Sequence, residues 1–132
     1  MAAGTGAKRD ATYWSPGLET IEPDALRALE ARRLRHQLVY TARHSPFYRA
    51  KWTGAGLGVR DVRKVQLDDL ARLPFTEKAE LQDAQDADPP FGTNVCAPAD
   101  RLVRMQATGG TTSRPMRMAL TRHDVAVYSE IG

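Results

Sequence analysis

The feature that most constrains this chain is a long amphipathic stripe bounded by two prolines, in "SPGLETIEPDALRALEARRLRHQLVYTARHSPFYRAKW". Pro23 suits a first helical turn, where its missing N–H costs nothing. Leu26, Leu29, Leu34, Leu38 and Ala42 then recur at near-helical spacing, with the arginines mostly off that stripe. Pro46 disfavours helical geometry at Ser45 and so ends the helix. Ser45-Pro46 in turn suits the start of a second, short helix carrying Phe47, Tyr48 and Trp52, which Gly54 and Gly56 stop. The three aromatics are expected to anchor a core or an interface rather than to cage a ligand.

Further on, Leu67, Leu70 and Leu73 form a short amphipathic turn broken by Pro74. Thr76 is the expected N-cap of a helix containing Leu81, and Glu80 then falls one residue late for a capping box. "DADPPFGTNVCAPAD" is a loop by its prolines, aspartates and glycine. The period then changes from helical to extended. "RLVRMQA" is short and apolar-rich, and "MRMAL" alternates with period two. Thr121 is expected to cap a closing helix that begins near Asp124 and carries Val125, Val127, Tyr128 and Ile131. The order is therefore helices, strand, loop, strand, helix.

At 132 residues the chain is long enough for one domain with a core, but hardly for two. It has no apolar run near the ~20 residues that span a bilayer. Its first 12 residues lack the apolar centre of a signal peptide and are expected to be a flexible tail. Cytoplasm is the default location, and no membrane partner is expected. The single cysteine, Cys96, cannot form an internal disulfide; it sits in a loop without an activating base and is expected to be inert. His36 and His44 fall on or near the basic helix and His123 in a turn, with no metal-ligand spacing among them. Charge is unevenly spread. From Arg27 to Lys51 there are seven bases and one acid, a net +6, whereas Asp61 to Asp100 holds nine acids and four bases, a net −5. A basic helical module for nucleic acid is one reading. Two surfaces of one fold, facing solvent or each other, is the preferred one, because the basic stretch lacks aromatic interleaving and any nucleic-acid motif.

Between the two extended segments lies "ATGGTTSRP". Gly109 and Gly110 leave the backbone N–H groups unobstructed, and Thr108, Thr111, Thr112 and Ser113 add four hydroxyls. Arg114 adds a forked cation and Pro115 stiffens the exit. Such a loop suits a phosphate, yet a surface hairpin tolerates the same residues. It is not a Walker A loop, since no G-x-x-x-x-G-K-[ST] runs through it, nor a Rossmann fingerprint, since G-x-G-x-x-G is missing.

"TGGTTSRP" resembles the Ser/Thr/Gly-rich phosphate loop of adenylate-forming enzymes, S-S-G-T-T-G-x-P. "YWSPGLETI", "RHSPFYRAKWTGAGL", "LDDLARLPFTEKAELQD" and "PPFGTNVCAPADRLVRMQATGGTT" resemble, in order, the N-terminal region of phenylacetate-CoA ligases. Thr108 takes the first serine position and Gly109 the second; Gly110, Thr111 and Thr112 match G-T-T. Ser113 replaces the usual glycine, Arg114 fills the variable position, and Pro115 matches. What the resemblance implies is an α/β enzyme whose first quarter is α+β: a helical segment over 13–100, then the start of the nucleotide-binding core over 101–132. It implies a reaction in which an aryl carboxylate attacks ATP to give an acyl-adenylate, and coenzyme A then displaces AMP. Thr108, Gly109, Gly110, Thr111, Thr112, Ser113 and Arg114 would hold the ATP phosphates with Mg2+, and the loop should be exposed and mobile without them. The family's later adenine, ribose and catalytic-lysine motifs are not found here. The resemblance therefore implies an N-terminal part of a longer enzyme, inactive alone, whose whole form could be a homodimer. A ligase-derived interaction protein without chemistry is the remaining alternative.

Overall fold

The computed structural model describes residues 12–109 and 114–131. After a single turn, α1 (Pro16–Glu19), the chain forms the long α2 (Pro23–His44), α3 (Pro46–Gly54) and α4 (Val59–Val62). A 3-10 turn over Leu67–Arg72 and α5 (Lys78–Ala87) complete the helical part. A second short 3-10 turn, Ala99–Arg101, leads into β1 (Leu102–Ala107), β2 (Arg117–Thr121) and α6 (Arg122–Ile131). The whole is α+β, as expected.

The α2–α3 corner forms where the two prolines place it. Pro23 and Pro46 each stand in a first turn, and Ser45 between α2 and α3 has extended backbone. The Ser45 hydroxyl is fully buried, accepts from the Tyr48 N–H at 3.2 Å and donates to the Thr93 carbonyl at 3.1 Å. It thus caps α3 and ties the distant 93 loop to the corner. Gly56, at φ +77°, provides the left-handed exit after α3.

Leu38 and Ala42 of α2, Trp52 of α3, Val62 of α4 and Val65 make the buried core, with Leu34, Tyr48, Leu57, Val59 and Leu73 partly buried around them. Tyr48 packs on Trp52 with ring centroids 5.6 Å apart, and Phe47 meets Tyr48 edge-on at 5.0 Å. Trp52 is a core residue and Tyr48 packs against that core, while Phe47 is half-buried at its edge. The apolar stripe of α2 is buried only in its second half: Leu26 is 38% exposed. The reason is coverage, because α3 and α4 pack on the C-terminal half and leave the N-terminal half open.

Helix starts share one device. The Asp61, Asp69, Glu80 and Asp124 carboxylates accept from the backbone N–H of Gly58, Gln66, Glu77 and Thr121, three residues earlier in each case. This corrects two expectations. The N-cap of α5 is Glu77 rather than Thr76, because that register puts Glu80 within reach of the cap N–H at 2.7 Å. The last helix begins at Arg122, two residues before Asp124, so His123 is helical rather than in a turn. Thr121 is its cap as expected, its Oγ1 accepting from the Asp124 N–H at 3.2 Å.

The basic and acidic segments do face each other. Arg27 pairs with Asp68 at 2.7 Å, and Lys51 pairs with Glu80. Among the described residues no helix is long and apolar enough to cross a membrane.

Candidate functional site

The two strands pair antiparallel, from Leu102 opposite Thr121 to Ala107 opposite Arg117, with an irregularity at Val103. One further rung closes the ribbon at the loop end. The Thr108 N–H donates to the Met116 carbonyl at 2.9 Å, and the Met116 N–H donates to Thr108 Oγ1 at 3.0 Å. A regular rung would use the carbonyl of residue 108 instead. A threonine hydroxyl has two lone pairs and one proton, so accepting from Met116 leaves its O–H free to donate. Thr108 is therefore a held donor at the mouth of the loop. Beside it, a Cβ built on Gly109 meets nothing within 4 Å, so the serine usual at this position would fit. The departure from the family pattern at Gly109 is not forced by packing. Gly110, Thr111, Thr112 and Ser113 lie outside the described residues.

On the far side of the loop, Arg114 faces α5. Its guanidinium reaches Asp83 at 3.0 Å and also pairs with Asp86, and its carbonyl accepts from the Gln82 amide. These ion pairs are exposed, and each contributes little alone. Together they orient the loop's exit against α5. Two of the guanidinium's five donors face these carboxylates, which leaves others for a second anion.

Gln85, which the sequence did not single out, fastens the ribbon. It is 4% exposed, and its amide donates to the Arg117 carbonyl at 2.6 Å while its side-chain oxygen accepts from the Arg117 N–H at 3.0 Å. Both outward-pointing backbone groups of Arg117 are thus satisfied by one side chain standing in for a third strand. Only its four-residue spacing from Leu81 hints that Gln85 faces inward. Gly92 allows α5 to sit there: at φ +80°, its Cβ would come within 3.0 Å of the backbone of Ala84 and Gln85.

Cys96 lies in the adjoining loop, where its carbonyl accepts from the Tyr40 hydroxyl at 3.3 Å. Burial pushes its thiol up, opposed by a weaker hydrogen bond with Thr41. A raised thiol is a poor nucleophile near neutral pH, in keeping with an inert cysteine. Among the described residues no group of three or more His, Cys, Asp or Glu side chains could hold a metal ion.

No family model matches the chain. Individual relatives do. It is 36% identical over 118 residues to the phenylacetate-coenzyme A ligase of Thermus thermophilus, covering 89% of this chain and 25% of that one. The Escherichia coli phenylacetate-coenzyme A ligase is 34% identical over 114 residues, covering 86% of this chain and 24% of that enzyme. Among solved structures, 2-hydroxyisobutyryl-CoA ligase in complex with 2-HIB-AMP and CoA superposes with a TM-score of 0.78 at 34% identity. That match covers 92% of this chain and 25% of the ligase. The helical unit and its loop-bearing ribbon are thus similar in fold and sequence to part of an acyl-CoA ligase. Over most of its length the chain is similar to phenylacetate-CoA ligases, and it spans about a quarter of the length of the relatives it matches.

Proposed function

We propose that this chain is the N-terminal part of an AMP-forming acyl-CoA ligase that activates an aryl carboxylate of the phenylacetate type with ATP and passes the acyl group to coenzyme A. Thr108 to Arg114 would hold the β- and γ-phosphates during adenylation. The observation that carries this reading is the Thr108 rung, a fixed hydroxyl with its proton free beside an unobstructed Gly109. These donors suit anionic oxygens, not a cation, so Mg2+ would enter with ATP as part of the substrate. Positioning and charge neutralisation are what such a loop supplies.

The acid is argued from the relatives. Phenylacetate-CoA ligases are matched over most of this chain, while the 2-hydroxyisobutyryl-CoA ligase shows the same fold beside a different acyl group. The ribbon supports a larger parent, because Val103, Met105 and Met118 expose apolar surface that a neighbouring layer would cover. On this reading the 132 residues alone release no pyrophosphate from ATP and phenylacetate.

The test is the double change Thr111→Val and Thr112→Val in the full-length enzyme, which removes two hydroxyls and keeps the branched shape. Each lost hydrogen bond to a charged phosphate is worth ~1.5–3 kcal/mol, so pyrophosphate release should fall at least ~10-fold with the melting temperature unchanged. Unaltered adenylation would leave the segment a plain hairpin and the site assignment wrong.

A further inference from the structure

Away from the ribbon's mouth, α2 presents two rows of side chains at four-residue spacing, Arg35–Val39–Arg43 and His36–Tyr40–His44, which helical geometry stacks side by side. They line one wall of a concavity of about 430 Å³, and Arg63, just past α4, faces them from the other. We propose that this concavity is a binding site for a small polyphosphate anion, free or carried by a nucleotide, separate from the 108–114 loop.

Charge is the first argument. Four basic side chains elsewhere meet carboxylates: Arg27 with Asp68, Lys51 with Glu80, Arg72 with Asp69, and Arg114 with both Asp83 and Asp86. Among the described residues Arg35, Arg43 and Arg63 enter no ion pair, and no carboxylate lines their concavity. Three like charges around one hollow repel each other, and an anion with at least two charges relieves all three at once.

Shape is the second. Guanidinium forks match phosphate oxygens two at a time, and a well-packed helix fixes their spacing before the ligand arrives. Tyr40 and His44 add a pair of rings, with centroids 4.7 Å apart, against which a planar base can rest. His36 and Tyr40 also border a larger groove of about 930 Å³ that runs to Met116 and to Arg117–Ala119 of β2, so a ligand longer than its phosphates has room to extend. A compact hollow differs from the extended basic track that a duplex requires, where each contacted phosphate adds to the salt dependence. None of this rests on the ligase reading.

The experiment is calorimetric titration of the 132-residue chain with inorganic pyrophosphate and with ADP, alongside NMR of the Tyr40 and His44 ring protons. The expected result is saturable binding of one anion with shifts at both rings. It should weaken at least tenfold in Arg35→Gln/Arg43→Gln and at least threefold in Arg63→Gln. The ring shifts at Tyr40 and His44, rather than the response of Thr111→Val/Thr112→Val, separate this site from the loop. ADP binding tighter than pyrophosphate identifies a nucleotide as the source, and equal affinities identify the free anion. Glutamine keeps the helix, so the anion-free variants should melt at or above the parent temperature and show that lost binding is not lost folding. The proposal is overturned by no saturable binding, by loss in the threonine variant with retention in the arginine variants, or by a short DNA duplex displacing pyrophosphate at lower concentration.

Discussion

Trp52 and four side chains from α2, α4 and the segment just beyond it are each no more than 6% exposed, and they meet through apolar contact. In the ribbon, Val103 and Met105 are more than half exposed, and the closest attachments to the helical part are polar: Gln85 on Arg117, Gln82 and two aspartates on Arg114. The first region carries its own core. The second is a two-stranded ribbon, which is marginal in water unless further strands or a helix cover it. The contrast teaches where this chain ends as a folding unit and where it offers surface to something else. It also explains how the loop proposed to hold phosphates is anchored on so slight a ribbon: its two ends are fixed by directional bonds at Thr108, Arg114 and Arg117 rather than by burial.

The strongest way to break that contrast is Trp52→Ala. Removing a buried indole leaves a cavity among Leu38, Ala42 and Val62, with an expected loss of ~3–5 kcal/mol in denaturant unfolding of the chain. A loss below ~1 kcal/mol would mean the helical unit does not depend on this core.

Gln85→Leu sharpens the contrast from the other side. It keeps the volume inside α5 but leaves the Arg117 N–H and carbonyl without partners, at an expected cost of ~1–3 kcal/mol. Hydrogen exchange should accelerate at Arg117 and Met118 while the amides of Leu38 and Ala42 stay protected. Equal loss of protection in both regions would show that ribbon and helices open as one body.

What could be read in the sequence follows the same division. The Ser45–Pro46 corner, the Gly54–Gly56 stop and the Thr121 cap were legible because each is settled within a few residues by backbone chemistry. The expected Thr76 cap is off by one position because residue type favours Thr76, whereas the reach of Glu80 to the Glu77 N–H sets the register. Leu26 satisfied the helical stripe and still stands exposed, since burial depends on what packs opposite and periodicity does not report it. In the candidate site, the residue types of the loop were legible and the partners were not. Nothing near Arg114 in sequence points to Asp83 and Asp86, and Gln85 looked like any polar helix residue. Opposed charge excess left open whether the basic and acidic segments meet; the pairs Arg27–Asp68 and Lys51–Glu80 answer it.

The smallest expected effect tests the joint between the two regions. Lys51 belongs to α3, and Glu80 opens α5, the helix that holds the ribbon. The Lys51 ammonium, and after it the Glu77 N–H, hold the Glu80 carboxyl below its ordinary value of 4.5. A carboxyl whose folded value is lowered adds stability above its ordinary value, and that addition is lost as pH falls through the lowered one. Glu80→Gln keeps an oxygen that can accept from the Glu77 N–H, so the variant removes the charge and spares the cap. The parent chain should therefore melt slightly above the variant at neutral pH, and the gap should close as pH falls below the ordinary value of 4.5 and through the lowered one. The pair is partly open to water, so the gap should also shrink in high salt. A gap that persists unchanged at low pH would place the contribution of Glu80 in its packing, and the link between α3 and α5 would then not be electrostatic.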